Sequence, residues 1–144
     1  RSGSIMYTDL IPMCYSGEYT QREMTKKLIG GSGLKSHLGT NDMREVEKMI
    51  VGGDEYAAEV LEFWAYQIGK YVGLMATVVK GKVDKIVVTG GAAYSERLTK
   101  LIAERVDWIA PVQVIPGALE MEALATGIIA VLNGEEEAKI YGQN

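Results

Sequence analysis

Two adjacent glycines, Gly90 and Gly91, follow an apolar run and precede a segment with helical periodicity. Glycine lacks a Cβ atom, so a ligand can approach the main chain closely at such a junction. The first N–H groups of the following helix carry partial positive charge and favour anions such as phosphate. The junction from Ile86 to Ser95 therefore predicts a nucleotide site, and the alternative is a plain turn after a strand.

Other patterns resemble phosphate, dinucleotide or metal sites but lack the spacing or the residues that those sites need. Residues 31–36 read Gly-Ser-Gly-Leu-Lys-Ser, but a phosphate-binding loop needs Gly directly before Lys, after a strand. A dinucleotide site is not predicted at Gly90 either, because the G-x-G-x-x-G motif and an acidic ribose ligand are absent. His37 is the only histidine. Without a cysteine or histidine partner, it predicts neither a zinc site nor a nucleophile–histidine pair.

The composition is typical of one soluble globular domain. The 144 residues are 47% hydrophobic and 24% charged. A net charge of −4 without a basic run argues against a nucleic-acid partner. The apolar stretch 60–79 carries Glu62, Gln67 and Lys70, so it predicts a soluble helix and no membrane partner. The single cysteine, Cys14, cannot form an internal disulfide, which favours a cytoplasmic location, and we expect its thiol to be buried.

The first half of the chain reads as helices separated by glycines. A helix capped by Thr8 is predicted to hold Pro12 in its first turn. Thr20 begins a capping-box pattern that predicts a second helix. Residues 34–41 are interpreted as a connector, and Asp42 is predicted to cap the next helix.

A long central helix is predicted to begin after Asp54. Its apolar residues recur at spacings of three and four, which indicates one buried stripe. They are Ala57, Leu61, Trp64, Ile68, Tyr71, Met75 and Val79. Gly69 and Gly73 leave one face of this helix without side chains, which favours close packing of another helix.

The rest of the chain alternates strand and helix. Strands are predicted over 85–88 and 112–115, each followed by an amphipathic helix. Short apolar strands joined through a helix are parallel and buried, so these segments predict a β-α-β-α unit with a right-handed crossover. The fold class is therefore α/β. Two strands make an incomplete sheet, so we expect the other strands in sequence beyond these residues.

Seven short strings occur along the chain in a specific order. They are Arg1-Ser-Gly3, Cys14-Tyr-Ser-Gly17, Leu38-Gly-Thr-Asn-Asp-Met-Arg-Glu-Val-Glu-Lys48, Ala65-Tyr-Gln-Ile68, Val88-Thr-Gly-Gly-Ala-Ala-Tyr-Ser95, Ile109-Ala-Pro-Val112 and Gly134-Glu-Glu-Glu-Ala-Lys139. Together they resemble the carboxy-terminal half of butyrate kinases, in the acetate kinase group of the actin-like ATPase superfamily. The resemblance implies that residues 1–144 are the nucleotide-binding domain of a two-domain kinase, a helix-rich part of an actin-like, ribonuclease H-like domain.

The resemblance also implies an activity and a set of site residues. The family transfers a phosphoryl group reversibly between ATP and butanoate, giving butanoyl phosphate and ADP, with Mg²⁺ as the metal. The nucleotide-binding residues that it implies are Asp42, Met43, Arg44, Gly90, Gly91, Ala92, Ala93 and Tyr94. Arg1 matches an arginine that steadies the transferring phosphoryl group, and Glu120 resembles a glutamate near the magnesium ion.

The residues themselves leave simpler roles open. Asp42 is also a good helix cap, and a cap can contact a ligand as well. Arg44 is either a solvated charge or a guanidinium stacked on a purine. Arg1 stands at a chain end, where disorder is common. A planar guanidinium nevertheless suits the charge spread over a transferring phosphoryl group.

Two classes of function stay open. One is the nucleotide-binding half of a carboxylate kinase, acting on butanoate or on a different short or branched acid. The other is a non-catalytic, actin-like module for nucleotide binding or assembly. By resemblance, the amino-terminal domain carries the acyl-acid pocket and the catalytic histidine, which His37 does not match. We therefore expect no kinase activity from these residues alone, and we expect a homo-oligomer because the apolar helix and the sheet edge favour association.

Overall fold

The computed structural model describes residues 5–117 and 120–138. Within these ranges the chain forms helices and one two-stranded parallel sheet. The elements are α1 (Tyr7–Tyr15), α2 (Gln21–Ile29), α3 (Leu34–Leu38), α4 (Met43–Val51), α5 (Glu55–Val78), β1 (Ile86–Gly90), a 3₁₀ helix (Gly91–Tyr94), α6 (Glu96–Val106), β2 (Val112–Pro116) and α7 (Glu120–Leu132).

The predicted β-α-β-α unit is confirmed. β1 and β2 are parallel, with Ile86 opposite Val112 and Gly90 opposite Pro116, and α6 connects them. β1 runs two residues beyond the predicted end at Val88, because pairing continues until the main chain bends at Gly90. There Gly90 and Gly117 exchange two backbone hydrogen bonds of 3.0 Å each. These bonds fix the carboxyl end of β1, where the glycine junction begins.

The core lies between α4, α5 and α6. Its fully buried side chains are Val46, Leu61, Ala65, Leu98, Ile102 and Val106. Leu61 belongs to the apolar stripe predicted for the central helix, whereas Ala65 was not predicted to belong to it. The close approach predicted along the glycine flank is present at Gly69, where an added Cβ atom would lie 3.2 Å from the Cβ of Arg105. At Gly73 such an atom would meet nothing within 4 Å. The packing of α5 on α6 therefore needs a small residue only at Gly69.

Some local predictions were wrong. Residues 34–38 of the predicted connector form α3, a five-residue helix between Gly33 (φ +70°) and Gly39 (φ +74°), which is too short to show periodicity. α1 begins at Tyr7 without a side-chain cap, so Thr8 lies inside the helix and Pro12 lies beyond its first turn. Cys14 is exposed rather than buried, because no residue of α1 is buried.

The second half of α5 presents an apolar surface. Tyr71, Met75 and Val79, predicted to belong to one buried stripe, are all exposed. With Ile68 and Ile86, among others, they line an open groove of about 430 Å³. No helix within the described ranges is long and apolar enough to cross a membrane.

Candidate functional site

The glycine junction has an open main chain at the carboxyl end of β1. Gly90 adopts φ +86° and ψ −176°, a conformation that residues with a Cβ atom rarely adopt. Gly91 begins the 3₁₀ helix. A Cβ atom added to either glycine would meet nothing within 4 Å. Ligands of open α/β sheets bind outside the carboxyl ends of the strands, so the free space lies where a ligand is expected.

The 3₁₀ helix presents one side chain and buries another. Ala93 is 3% exposed and anchors the turn, whereas the Tyr94 side chain is largely exposed. The Tyr94 hydroxyl lies 2.8 Å from the position that a Cβ atom would take at Gly117, whose φ is +90°. Position 117 therefore requires glycine, which the sequence analysis did not predict. A side chain there would displace the tyrosine from the end of the sheet.

Asp42 and Arg44 form a hydrogen-bonded ion pair at the start of α4. One oxygen of Asp42, Oδ1, accepts the backbone N–H of Arg44 at 2.9 Å, which confirms the predicted cap. The Arg44 Nε atom lies 3.0 Å from Oδ1 and 3.2 Å from Oδ2, and Nη2 donates to Oδ2 at 2.5 Å. Both carboxylate oxygens are therefore occupied, while 86% of the Arg44 side chain stays exposed.

This pairing lowers the pKa of Asp42 to about 2. The side-chain hydrogen bonds from Arg44 are the largest cause, followed by its backbone N–H. A depressed pKa means that the contribution of Asp42 to stability is present above the ordinary value near 4 and is lost as the pH falls towards 2. The aspartate stays charged at neutral pH and holds the guanidinium in place.

A titration tests this arrangement. We expect Asp42 to titrate near pH 2. In Arg44→Ala its midpoint should rise only part of the way to the ordinary value, since the backbone N–H of residue 44 still donates to it. Carbon-detected NMR of the carboxyl group is the measurement, with Arg22→Ala, an exposed arginine of α2, as the control. An unchanged midpoint in Arg44→Ala would contradict the role given to the guanidinium.

The structure brings the two predicted segments together on one cleft of about 680 Å³. Of the predicted nucleotide-binding residues, Asp42, Met43, Arg44, Gly91, Ala92 and Tyr94 line it. Gly90 forms the adjacent strand end, and Ala93 is buried beneath the turn. Asn41, Glu47, Trp64 and Ser95 also line the cleft. Ser95 ends the predicted junction and Asn41 adjoins Asp42. Glu47 and Trp64 were not predicted, because contacts between distant segments leave no local pattern.

Glu47, on α4, accepts hydrogen bonds from residues at the other side of the cleft. Its Oε1 accepts the Ser95 hydroxyl at 2.5 Å, and its Oε2 lies 3.4 Å from the Arg97 Nε. Ser95 Oγ also accepts the backbone N–H of Leu98 at 3.0 Å and so caps α6. α4 is thereby attached to the end of the 3₁₀ helix and the start of α6.

The other predicted site residues stand apart from this cleft. Arg1 lies outside the described residues. Glu120 is the first residue of α7, three residues after Gly117, and is not among the residues lining the cleft. The described ranges contain no group of three or more metal-binding side chains. Magnesium is commonly held by one or two carboxylates together with substrate phosphates, so a site for it does not require such a group.

His37 has a local partner. Its Nδ1 atom lies 2.9 Å from the hydroxyl of Tyr56, across from α3 to α5, on an exposed surface. It does not line the cleft. His37 is therefore an exposed side chain with a hydrogen-bond partner on α5.

Comparisons with known sequences identify relatives over most of the chain. The profile of the Acetokinase family matches residues 1–109. Over 142 residues the chain is 52% identical to a protein described as probable butyrate kinase 2, from Caldanaerobacter subterraneus subsp. tengcongensis. That match covers 99% of this chain and 40% of the relative. The chain thus spans well under half the length of this curated relative.

Two solved structures share the fold. An acetate kinase from Porphyromonas gingivalis matches 92% of this chain and 39% of its own chain, with a TM-score of 0.77 and 22% identity. A propionate kinase from Francisella tularensis subsp. tularensis SCHU S4 matches 84% of this chain and 37% of its own, with a TM-score of 0.70 and 24% identity. The predicted α/β class is confirmed, and the fold is that of part of an acetate kinase.

Proposed function

Because the chain belongs to the acetokinase family, we propose that residues 1–144 are the carboxy-terminal nucleotide-binding domain of a butyrate kinase. The observation that carries this proposal is the single cleft in which the glycine turn faces the Asp42–Arg44 pair. These are the two segments that the sequence alone assigned to nucleotide binding. The identity with a probable butyrate kinase supports butanoate as the acid.

The cleft has the size and chemistry that a nucleoside needs. Its volume of about 680 Å³ falls within the ~300–1,000 Å³ typical of small-molecule sites. Met43, Trp64 and Ala92 supply apolar walls for a base. The exposed guanidinium of Arg44, fixed by Asp42, can stack on a purine face. Nearby, the open turn at Gly91 allows the sugar and phosphates to approach the main chain.

The reaction requires a second set of groups. A carboxylate oxygen of butanoate attacks the γ-phosphorus of ATP as the bond to the ADP oxygen breaks, which yields butanoyl phosphate and ADP. Such a transfer depends on positioning and on stabilising charge. Arg1 is proposed to stabilise the phosphoryl oxygens. Mg²⁺ would neutralise phosphate charge, and Glu120 is proposed as a carboxylate near it.

We further propose that the acyl-acid pocket lies in another part of the complete protein. The apolar groove on α5 then offers a surface for that part or for a second copy, in keeping with the expected homo-oligomer. Domain closure around the substrates would exclude water and complete the phosphoryl site. Residues 1–144 would hold the nucleotide side of a composite site.

The experiment is an acyl phosphate assay with hydroxylamine as the trap. We expect the complete protein to form butanoyl hydroxamate from ATP and butanoate, and we expect the 144-residue chain alone to form none. Circular dichroism must show that the isolated chain is folded. Turnover by that chain at about one per second or more, as kinases show, would contradict the composite site.

Other acids serve as the comparison. Acetate, propionate and isobutyrate should be poorer substrates than butanoate for the complete protein. A higher rate with one of them would assign the enzyme to a different short or branched acid. If the complete protein binds ADP but forms no acyl phosphate from any of the four, the non-catalytic actin-like module becomes the better interpretation.

A further inference from the structure

The two walls of the cleft come from parts of the chain that are far apart in sequence. One wall is the start of α4, and the other is the 3₁₀ helix with the start of α6. The hydrogen bond between Glu47 and Ser95 joins residues 48 positions apart. Among the described residues, no other side-chain hydrogen bond or ion pair joins α4 to the junction that follows β1, apart from the longer contact of Glu47 with Arg97.

We propose that Glu47 is a positioning residue that sets the width of the cleft and thereby the affinity for the nucleotide. This inference rests on the proposed function, since it concerns the same cleft. Glu47 acts through Ser95 and not by contact with the phosphates. The family resemblance does not include this glutamate among the nucleotide-binding residues that it implies.

The geometry at Ser95 explains how the effect is transmitted. The serine hydroxyl has one hydrogen, and it donates that hydrogen to Glu47. Its lone pair is then directed at the N–H of Leu98, while the backbone N–H of Ser95 donates to Ala92 at 3.1 Å. Ser95 is 6% exposed, so water does not readily replace the carboxylate. The hydrogen bond that attaches the 3₁₀ helix to α4 therefore depends on this one residue.

A charged acceptor makes this attachment strong. Hydrogen bonds to an ionised group are shorter and roughly twice as strong as neutral ones. Glu47 is about one-third exposed at its side chain, which leaves its charge partly shielded from solvent. Without it, α4 and the 3₁₀ helix can move apart, and the nucleotide must then order them on binding. Preorganised sites bind more tightly because that ordering has already been done.

The experiment is calorimetric titration of the complete protein with ADP. We expect Glu47→Ala to weaken binding on the order of tenfold. Glu47→Gln keeps an acceptor for the Ser95 hydroxyl but loses the charge, so its affinity for ADP should lie between those of Glu47→Ala and the unmodified protein. The matched control is Glu104→Ala, since Glu104 is an exposed carboxylate on α6 that makes no side-chain hydrogen bond or ion pair with the described residues. It should bind ADP as the unmodified protein does.

A double-mutant cycle distinguishes positioning from direct contact. If Glu47 acts through Ser95, then Glu47→Ala combined with Ser95→Ala should bind ADP no more weakly than the weaker single variant. Equal and additive losses would overturn the proposal, and so would unchanged affinity in folded Glu47→Ala. The Glu47→Gln result stands even if Ser95→Ala does not fold. Absence of ADP binding by the unmodified protein would instead contradict the proposed function itself.

Discussion

Replacing Gly91 with valine should weaken ADP binding on the order of a hundredfold or more in the complete protein while leaving the fold intact. Gly91 is not among the glycines with positive φ, so the main chain accepts a side chain there. A Cβ atom would meet nothing within 4 Å, so the site has room for the start of a side chain. The branched side chain would instead fill the space through which the nucleoside approaches the turn.

Calorimetric titration with ADP measures this effect, and circular dichroism confirms folding. Gly91→Ala should cause a smaller loss, because a single methyl group fills less of the cleft. Gly73→Ala is the matched control, since that glycine also has open space around it but lies on α5, away from the cleft residues. If folded Gly91→Val binds ADP normally, the paired glycines are only a turn.

Replacing Arg1 with alanine should lower kcat and kcat/KM together, on the order of a hundredfold or more. The physical reason is that Arg1 is proposed to act on charge that develops only in the transition state. Arg44→Ala should change a different kinetic constant. A stacking contact on the base persists through the reaction and contributes about 1–2 kcal/mol, so its loss should mainly raise the KM for ATP.

Steady-state kinetics of both variants in the complete protein provide the comparison. Arg22→Ala, on the exposed surface of α2, controls for the loss of a positive charge and should leave both constants unchanged. The catalytic assignment of Arg1 is wrong if its variant raises only the KM for ATP. The stacking assignment of Arg44 is wrong if its variant lowers kcat while KM is retained.

Local patterns in the sequence predicted most elements of this fold. The capping box at Thr20 is present, with the threonine and Glu23 satisfying each other's backbone donors. The parallel pairing of β1 with β2 followed from two apolar runs joined through a helix. α3 was missed because a five-residue helix between two glycines has neither a cap nor enough turns to show a stripe. Such signals depend on residues within a few positions of one another.

The candidate site was predicted less completely than the fold. The glycine pattern predicted the segment at Gly91 and the resemblance supplied the segment at Asp42, but their meeting on one cleft depends on the tertiary packing. Glu47 follows the predicted Arg44 by three positions, but its bond to Ser95 depends on the tertiary packing. Trp64 belongs to a helical stripe, and nothing near it in sequence indicates a cleft. Gly117 was passed over because its role depends on Tyr94, which lies more than twenty residues earlier.

The pairing of charges around the cleft has a consequence for how an anion reaches it. Asp42 is matched by Arg44 and Glu47 by Arg97, so these four side chains sum to no net charge. Electrostatic steering needs an unbalanced field that extends beyond the Debye length of about 8 Å at physiological ionic strength. These pairs provide no such field. An approaching nucleotide therefore gains no steering from these four charges, and they add no salt dependence to its rate of association.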